Sequence, residues 1–347
     1  MLFQPQISPL ELTENFSSIN IENAGEHARI HLSGVPKGIT NGHLARNEDE
    51  ITMTKQDFAT LAASGLILVD GATGSNLILA GMPRGVCTEH WVLEHPEPLI
   101  KLQAEYAEAG SQIVYAPTFT ANRLGLAAFG LENEIGRMNR ELVKLSRDAV
   151  SGKALVAGDL TTTGQMMEPQ GDMTYDRLLE IYKEQISYLA EAGVDLLVAE
   201  TMLGVEETIA VVDAANEVCG LPIMCSLTLE ADGSAMYGGN ALEAVEVLQE
   251  MGADAVGVNC SVGPDQLEAI IAGMHAISRI PIIAKPNAGM PVITPEGEAH
   301  YPMNTEDFAR HMEVLIHAGA GVIGGCCGTG PEYIRALAKL RNSMTKS

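Results

Sequence analysis

The chain has 347 residues, 46% of them hydrophobic but only 4% aromatic, so its core has to be aliphatic, with Met and Ala filling it. A formal net charge of -24 makes phosphate backbones and anionic lipid poor partners, so nucleic acid and membrane surfaces are set aside and the acidity reads as solubility. No apolar run approaches the roughly 20 residues that span a bilayer. The opening MLFQPQISPLELTENF has no basic stretch followed by an apolar one, so no secretory signal is read there.

Residues 1–55 are polar, rich in Gly and charge, and without sustained period; they read as an N-terminal extension, and 56–347 as the main domain. From Leu66 onward an amphipathic stretch repeatedly ends in Gly and is followed by an apolar run of strand length. In order, the runs are LILVD ending at Asp70, QIVYAPT, ALVAGD ending at Asp159, VDLLVAET, LPIMCSLT from Leu221, ADAVGVNC, IPIIAKP from Ile280, and GVIGGCC. They are continuous and rich in Val, Ile and Leu, as parallel strands buried on both faces require. Gly110, Gly193, Gly252 and Gly319 stand where a helix closes through a left-handed residue. Between the runs the spacing is helical: Leu178, Tyr182, Ile186 and Leu189 share one face, and Phe308, Met312, Leu315 and Ile316 another. About eight strands alternating with about eight helices predict an α/β fold, a (β/α)8 TIM barrel with an N-terminal extension; a doubly wound open sheet is the alternative.

In such a barrel the chemistry sits at the C-terminal ends of the strands. Those ends carry Asp70, Asp159, Glu200, Cys260, Lys285 and the pair Cys326–Cys327. Six cysteines spread over a long chain suggest a reducing, cytoplasmic setting; Cys87, Cys219 and Cys225 read as plain buried thiols. Adjacent residues on a regular strand point to opposite faces, so Cys326 and Cys327 reach one point only if the backbone turns; Gly324, Gly325 and Gly328 are expected to supply that freedom. With Cys260 they make a three-thiolate set suited to zinc, with a fourth position open as at catalytic sites. A substrate thiol taken there would lose its proton more easily and become a nucleophile, which points to S-alkylation. A strained vicinal disulfide is the competing reading of the pair, and a Schiff-base barrel enzyme built on Lys285 the competing chemistry. GATGS at Gly71 is too short for a phosphate loop and lacks its lysine.

The stretches ILVDGATGSNL, PTFTANRLGLAAFGLE, LLVAETM, GVNCSVGP, KPNAGMP and GGCCGTGPEYI, from about residue 66 to 337, resemble the homocysteine S-methyltransferase family. Within it they look most similar to the homocysteine-binding domain of the cobalamin-dependent methionine synthase type. The resemblance implies that Cys260, Cys326 and Cys327 are zinc ligands. It also implies that Glu200 binds the homocysteine ammonium with Asp70 beside it, that the Gly71 and Ala72 amides lie near the carboxylate, and that Asn287 lines the zinc pocket. An amino-acid zwitterion does need an anion for its ammonium and donors for its carboxylate. The implied donor is methylcobalamin or another methylcorrinoid on a separate protein, because no counterpart of the folate- and cobalamin-binding domains is read here. Small donors such as S-methylmethionine or betaine, and a role as the homocysteine-binding subunit of a multi-component system, are the alternatives. Two departures fall at the barrel mouth: Pro117 where such relatives carry Asn, and Thr161–Thr162 where they carry Gly-Pro.

Overall fold

The runs of Val, Ile and Leu become strands in a computed structural model of the protein, which describes residues 53–293 and 299–344. Barrel strands are β1 (Ile67–Leu68), β2 (Ile113–Tyr115), β3 (Leu155–Leu160), β4 (Leu196–Met202), β5 (Ile223–Leu227), β6 (Ala255–Cys260) and β7 (Ile282–Pro286). A small antiparallel hairpin follows, β8 (Val292–Ile293) with β9 (Ala299–His300), and β10 (Ala320–Ile323) is the eighth barrel strand. Neighbours run β1-β10-β7-β6-β5-β4-β3-β2, all parallel. The two ends of that order meet through a parallel bridge between Val69 and Ile113, where the Gln112 amide also donates to the Leu68 carbonyl at 2.7 Å. The sheet is therefore closed, and the barrel, not the open sheet, is the fold.

Closure gives each strand an inner and an outer face. Ile67, Val69, Ile113, Tyr115, Val198, Met224 and Ile283 fill the interior, while Leu68, Val114, Leu197 and Val258 pack outward against the helices. The helix Lys55–Ala63, capped by Thr54, packs Phe58 onto the interior cluster. Helix Tyr175–Glu191 buries Leu178, Tyr182, Ile186 and Leu189 on one stripe, each worth about 2 kcal/mol of apolar burial. On helix Thr305–His317 Phe308, Met312 and Leu315 are buried and Ile316 is half-buried. The four helix-closing glycines have φ of 112° (Gly110), 79° (Gly193), 92° (Gly252) and 113° (Gly319), the left-handed region that penalises a Cβ. Residues 1–52 of the expected extension lie outside the described residues.

A satellite core of Leu77, Cys87, Val92, Leu99, Leu126 and Met138 supports the long connections after β1 and β2. These connections carry the short helices Gly74–Leu79, Thr88–Glu94 and Arg123–Ala127, and they wall one side of the barrel mouth.

Candidate metal and substrate site

The thiols converge through two different local devices. Cys260 ends β6 with φ 60°, a left-handed conformation that turns its side chain out of the strand's alternation. After β10 the chain stays bonded to both neighbours: Gly325 N donates to Asp70 O at 3.1 Å, Cys326 N to Pro286 O at 2.7 Å, and Ala288 N to Cys327 O at 2.9 Å. The glycines there do something other than expected. Only Gly328 has a positive φ, 80°. A Cβ on Gly324 would lie 2.5 Å from Val69 Cγ2 and 2.7 Å from the Asp70 carbonyl oxygen, and one on Gly325 would lie 2.4 Å from Thr329 Oγ1. Gly324 and Gly325 therefore provide clearance, and the freedom to turn belongs to Gly328.

The ligand atoms of Cys260, Cys326 and Cys327 lie within 4.8 Å of one another, with 3.7 Å between the sulfurs of Cys260 and Cys327. Tetrahedral zinc at its usual Zn–S distance of about 2.3 Å sets sulfurs about 3.8 Å apart, so the donor set and spacing fit that ion. Hydrogen bonds from Cys260, Cys326 and Tyr301 hold the Cys327 thiol well below its usual range. None of the six cysteines forms a disulfide, Cys326 and Cys327 included; Cys87 and Cys225 are buried, whereas Cys219 is only half-buried, contrary to expectation.

Facing the thiols is a buried charge cluster. Asp70, Asp159 and Glu200 surround Lys285, whose side chain is 4% exposed. Lys285 Nζ stands 2.9 Å from Glu200 Oε1 and 3.6 Å from Asp70 Oδ1, with the Tyr115 ring centroid at 4.8 Å. These are ion-pair distances, yet neither oxygen has a hydrogen bond of good geometry, and Asp159 Oδ1 has none either. Burial raises the pKa of all three carboxyls, Asp70 to about 7. Burial alone would strip the lysine of its proton; the facing carboxylates of Glu200 and Asp70 outweigh it and hold its pKa well above the usual value. A protonated, ion-paired ammonium is no nucleophile, which counts against the Schiff-base alternative.

A cavity of about 580 Å³ joins the two groups. Asp70, Gly71, Ala72 and Glu200 line it together with the three thiols and Lys285, but Asn287 does not. Asn287 follows β7, between Pro286, which pairs with Cys260, and Ala288; its Oδ1 is buried without a partner. The Ala72 amide already donates to Thr329 Oγ1 at 3.2 Å, so a carboxylate arriving there would compete with that hydroxyl. Both departures have structural roles. Pro117 lines the cavity beside Phe119 and Phe129, and Thr161 Oγ1 donates to the Glu200 carbonyl at 2.8 Å. Thr162 and Thr163 are tied to buried Glu207, which also accepts from Tyr182 at 2.8 Å. No helix among the described residues is long and apolar enough to cross a membrane.

A family model described as Homocysteine S-methyltransferase matches residues 67–341. The chain is 26% identical over 306 residues to the methionine synthase of Mycobacterium leprae, covering 81% of this chain and 25% of that protein. It is equally 26% identical, over 300 residues, to the methionine synthase of Mycobacterium tuberculosis. It thus spans about a quarter of the length of the curated relatives it matches. Among solved structures it is similar in fold to the homocysteine methyltransferase MmuM from Escherichia coli in its metallated form. That match has a TM-score of 0.68 at 24% identity and covers 81% of this chain and 98% of the other.

Proposed function

The chain belongs to the homocysteine S-methyltransferase family, and on that footing we propose that it methylates the sulfur of homocysteine to give methionine. The observation that carries this is the juxtaposition of three thiols within 4.8 Å with a carboxylate wall across one cavity. Zinc held by Cys260, Cys326 and Cys327 would supply a soft Lewis acid that lowers the pKa of a substrate thiol. Across the cavity Glu200, with Asp70 beside it, takes the substrate ammonium; both carboxylates line the cavity next to Lys285. The Gly71 and Ala72 backbone faces the substrate carboxylate, and Asn287 supports the thiol end from behind the cavity wall. The thiol gives up its proton, its sulfur forms a bond to the methyl carbon, and the donor keeps the electron pair of the bond that breaks. The donor is a methylcorrinoid, a reading supported by the similarity to methionine synthases.

Six cysteines without a disulfide suit a reducing compartment, so the setting is cytoplasmic. Residues 56–347 form the homocysteine-binding domain, and 1–55 an extension. The test offers the zinc-loaded protein homocysteine with methylcobalamin, S-methylmethionine or betaine, each alone, and measures methionine. Formation from methylcobalamin only is expected. Formation from a small donor only would refute the corrinoid assignment, and none from any donor would refute the activity.

A further inference from the structure

Asn259, the residue before Cys260, has no exposed surface and uses the whole of its amide. Its Oδ1 accepts from Thr201 N and from Ser226 Oγ, both at 2.9 Å. Its Nδ2 donates to Thr201 Oγ1 at 2.7 Å and points the other hydrogen at Cys326 Sγ, 3.9 Å away. Two acceptor and two donor positions are all an amide has. The orientation is fixed by the network, because a flipped amide would set N–H against the Thr201 N–H.

What Asn259 touches is equally specific. Thr201 and Cys260 are two of the three described non-glycine residues with positive φ, at 58° and 60°. Such backbone costs about 1–3 kcal/mol per residue and persists only where its surroundings hold it. Thr201 follows Glu200, on the carboxylate wall, and Cys260 belongs to the thiol cluster. Both strained residues therefore adjoin one side chain, which also reaches a second thiol.

We propose that Asn259 is a positioning residue that locks the two halves of the site together, holding Glu200 in place through Thr201 and aiming Cys260 and Cys326 from the other side. This rests on the function proposed above, since it assigns the thiols to zinc and Glu200 to an amino-acid ammonium. Loss of Asn259 should then weaken zinc and amino-acid binding together, though Asn259 itself contacts neither.

The experiment compares wild type with Asn259→Asp, Asn259→Ser, Thr201→Ala and Thr201→Ser. Three quantities are read: zinc affinity by chelator competition, methionine affinity by calorimetry, and the thiolate-to-metal absorption of the cobalt-substituted protein. Asn259→Asp keeps the acceptor for Thr201 N and Ser226 but loses both donors, and zinc affinity should fall about 10- to 100-fold, the range seen when an outer-sphere partner is lost. Methionine affinity should fall with it, and the cobalt band should shift. Thr201→Ala should weaken zinc too, although Thr201 is no ligand, and Thr201→Ser should restore it. This second series tests the same link if the Asn259 variants fail to fold. Wild-type zinc affinity and cobalt spectrum in Asn259→Asp or Thr201→Ala would overturn the proposal, as would loss of one ligand without the other. Absence of zinc binding in the wild type itself would instead overturn the functional reading.

Discussion

Alanine at Gly325 separates two explanations for the glycines around the thiol pair. Gly325 does not have a positive φ, so alanine meets no backbone penalty there and any cost comes from contact. Its Cβ would stand 2.4 Å from Oγ1, 2.6 Å from Cγ2 and 2.7 Å from Cβ of Thr329. Thr329 is fully buried and β-branched, so it cannot swing aside as a flexible chain would. Its hydroxyl donates to Cys326 O at 2.7 Å and accepts from Ala72 N at 3.2 Å. Relieving the clash moves Thr329 by about 1 Å, to reach ordinary contact distance. Overpacking of this kind costs about 1–3 kcal/mol, and each broken hydrogen bond adds about 1 kcal/mol. A total loss of about 3–5 kcal/mol follows. Urea denaturation of the metal-free protein measures it without any contribution from zinc. If Gly325 supplied only flexibility, alanine would be neutral or would stabilise by up to about 1 kcal/mol through the unfolded chain. A loss below about 1 kcal/mol would refute the clearance argument.

Lys285→Met removes the cation that, among the described residues, pairs with Glu200 and Asp70, and should cost about 3–5 kcal/mol at pH 7 by the same denaturation assay; a loss under about 1 kcal/mol would show that the ion pair does not hold the barrel mouth. Asp70 gives a pH signature. Its folded-state pKa of about 7 lies above the ordinary 3.8, so the native state keeps a proton that the unfolded chain releases. Its contribution is full below about pH 4 and is lost as pH rises toward 7, by up to about 1.4 kcal/mol per pH unit. The wild-type stability profile should therefore slope more steeply downward with pH than that of Asp70→Asn across this window; parallel profiles would contradict the assignment.

The barrel was legible in the sequence because its strands are buried on both faces, so runs such as LLVA at 196–199 are apolar without interruption and are punctuated by glycines such as Gly193, which adopts the left-handed conformation. Closure was not legible. It depends on Val69 meeting Ile113 across the seam, a pairing that no local pattern encodes. The cysteines at strand ends could be brought together on paper, because all strand ends of a parallel barrel share one face. The reasons behind Gly324 and Gly325 could not, since clearance depends on Val69, Asp70 and Thr329, which belong to other parts of the chain. The same holds for the charge cluster. Asp70, Asp159, Glu200 and Lys285 were each visible as polar residues closing an apolar run, but which carboxylate faces the lysine is set by barrel register, for example Asn259 opposite Lys285. Asn259 carried no signal beyond its place before Cys260, because its four contacts go to Thr201, Ser226 and Cys326, on three separate segments.

The central claim is that Cys260, Cys326 and Cys327 form a zinc site, and metal analysis tests it most directly. Elemental analysis of the purified wild-type protein should find one zinc per chain, and Cys326→Ala, prepared in the same way and shown to be folded by its melting profile, should find none. Zinc retained at full stoichiometry in Cys326→Ala would contradict the account.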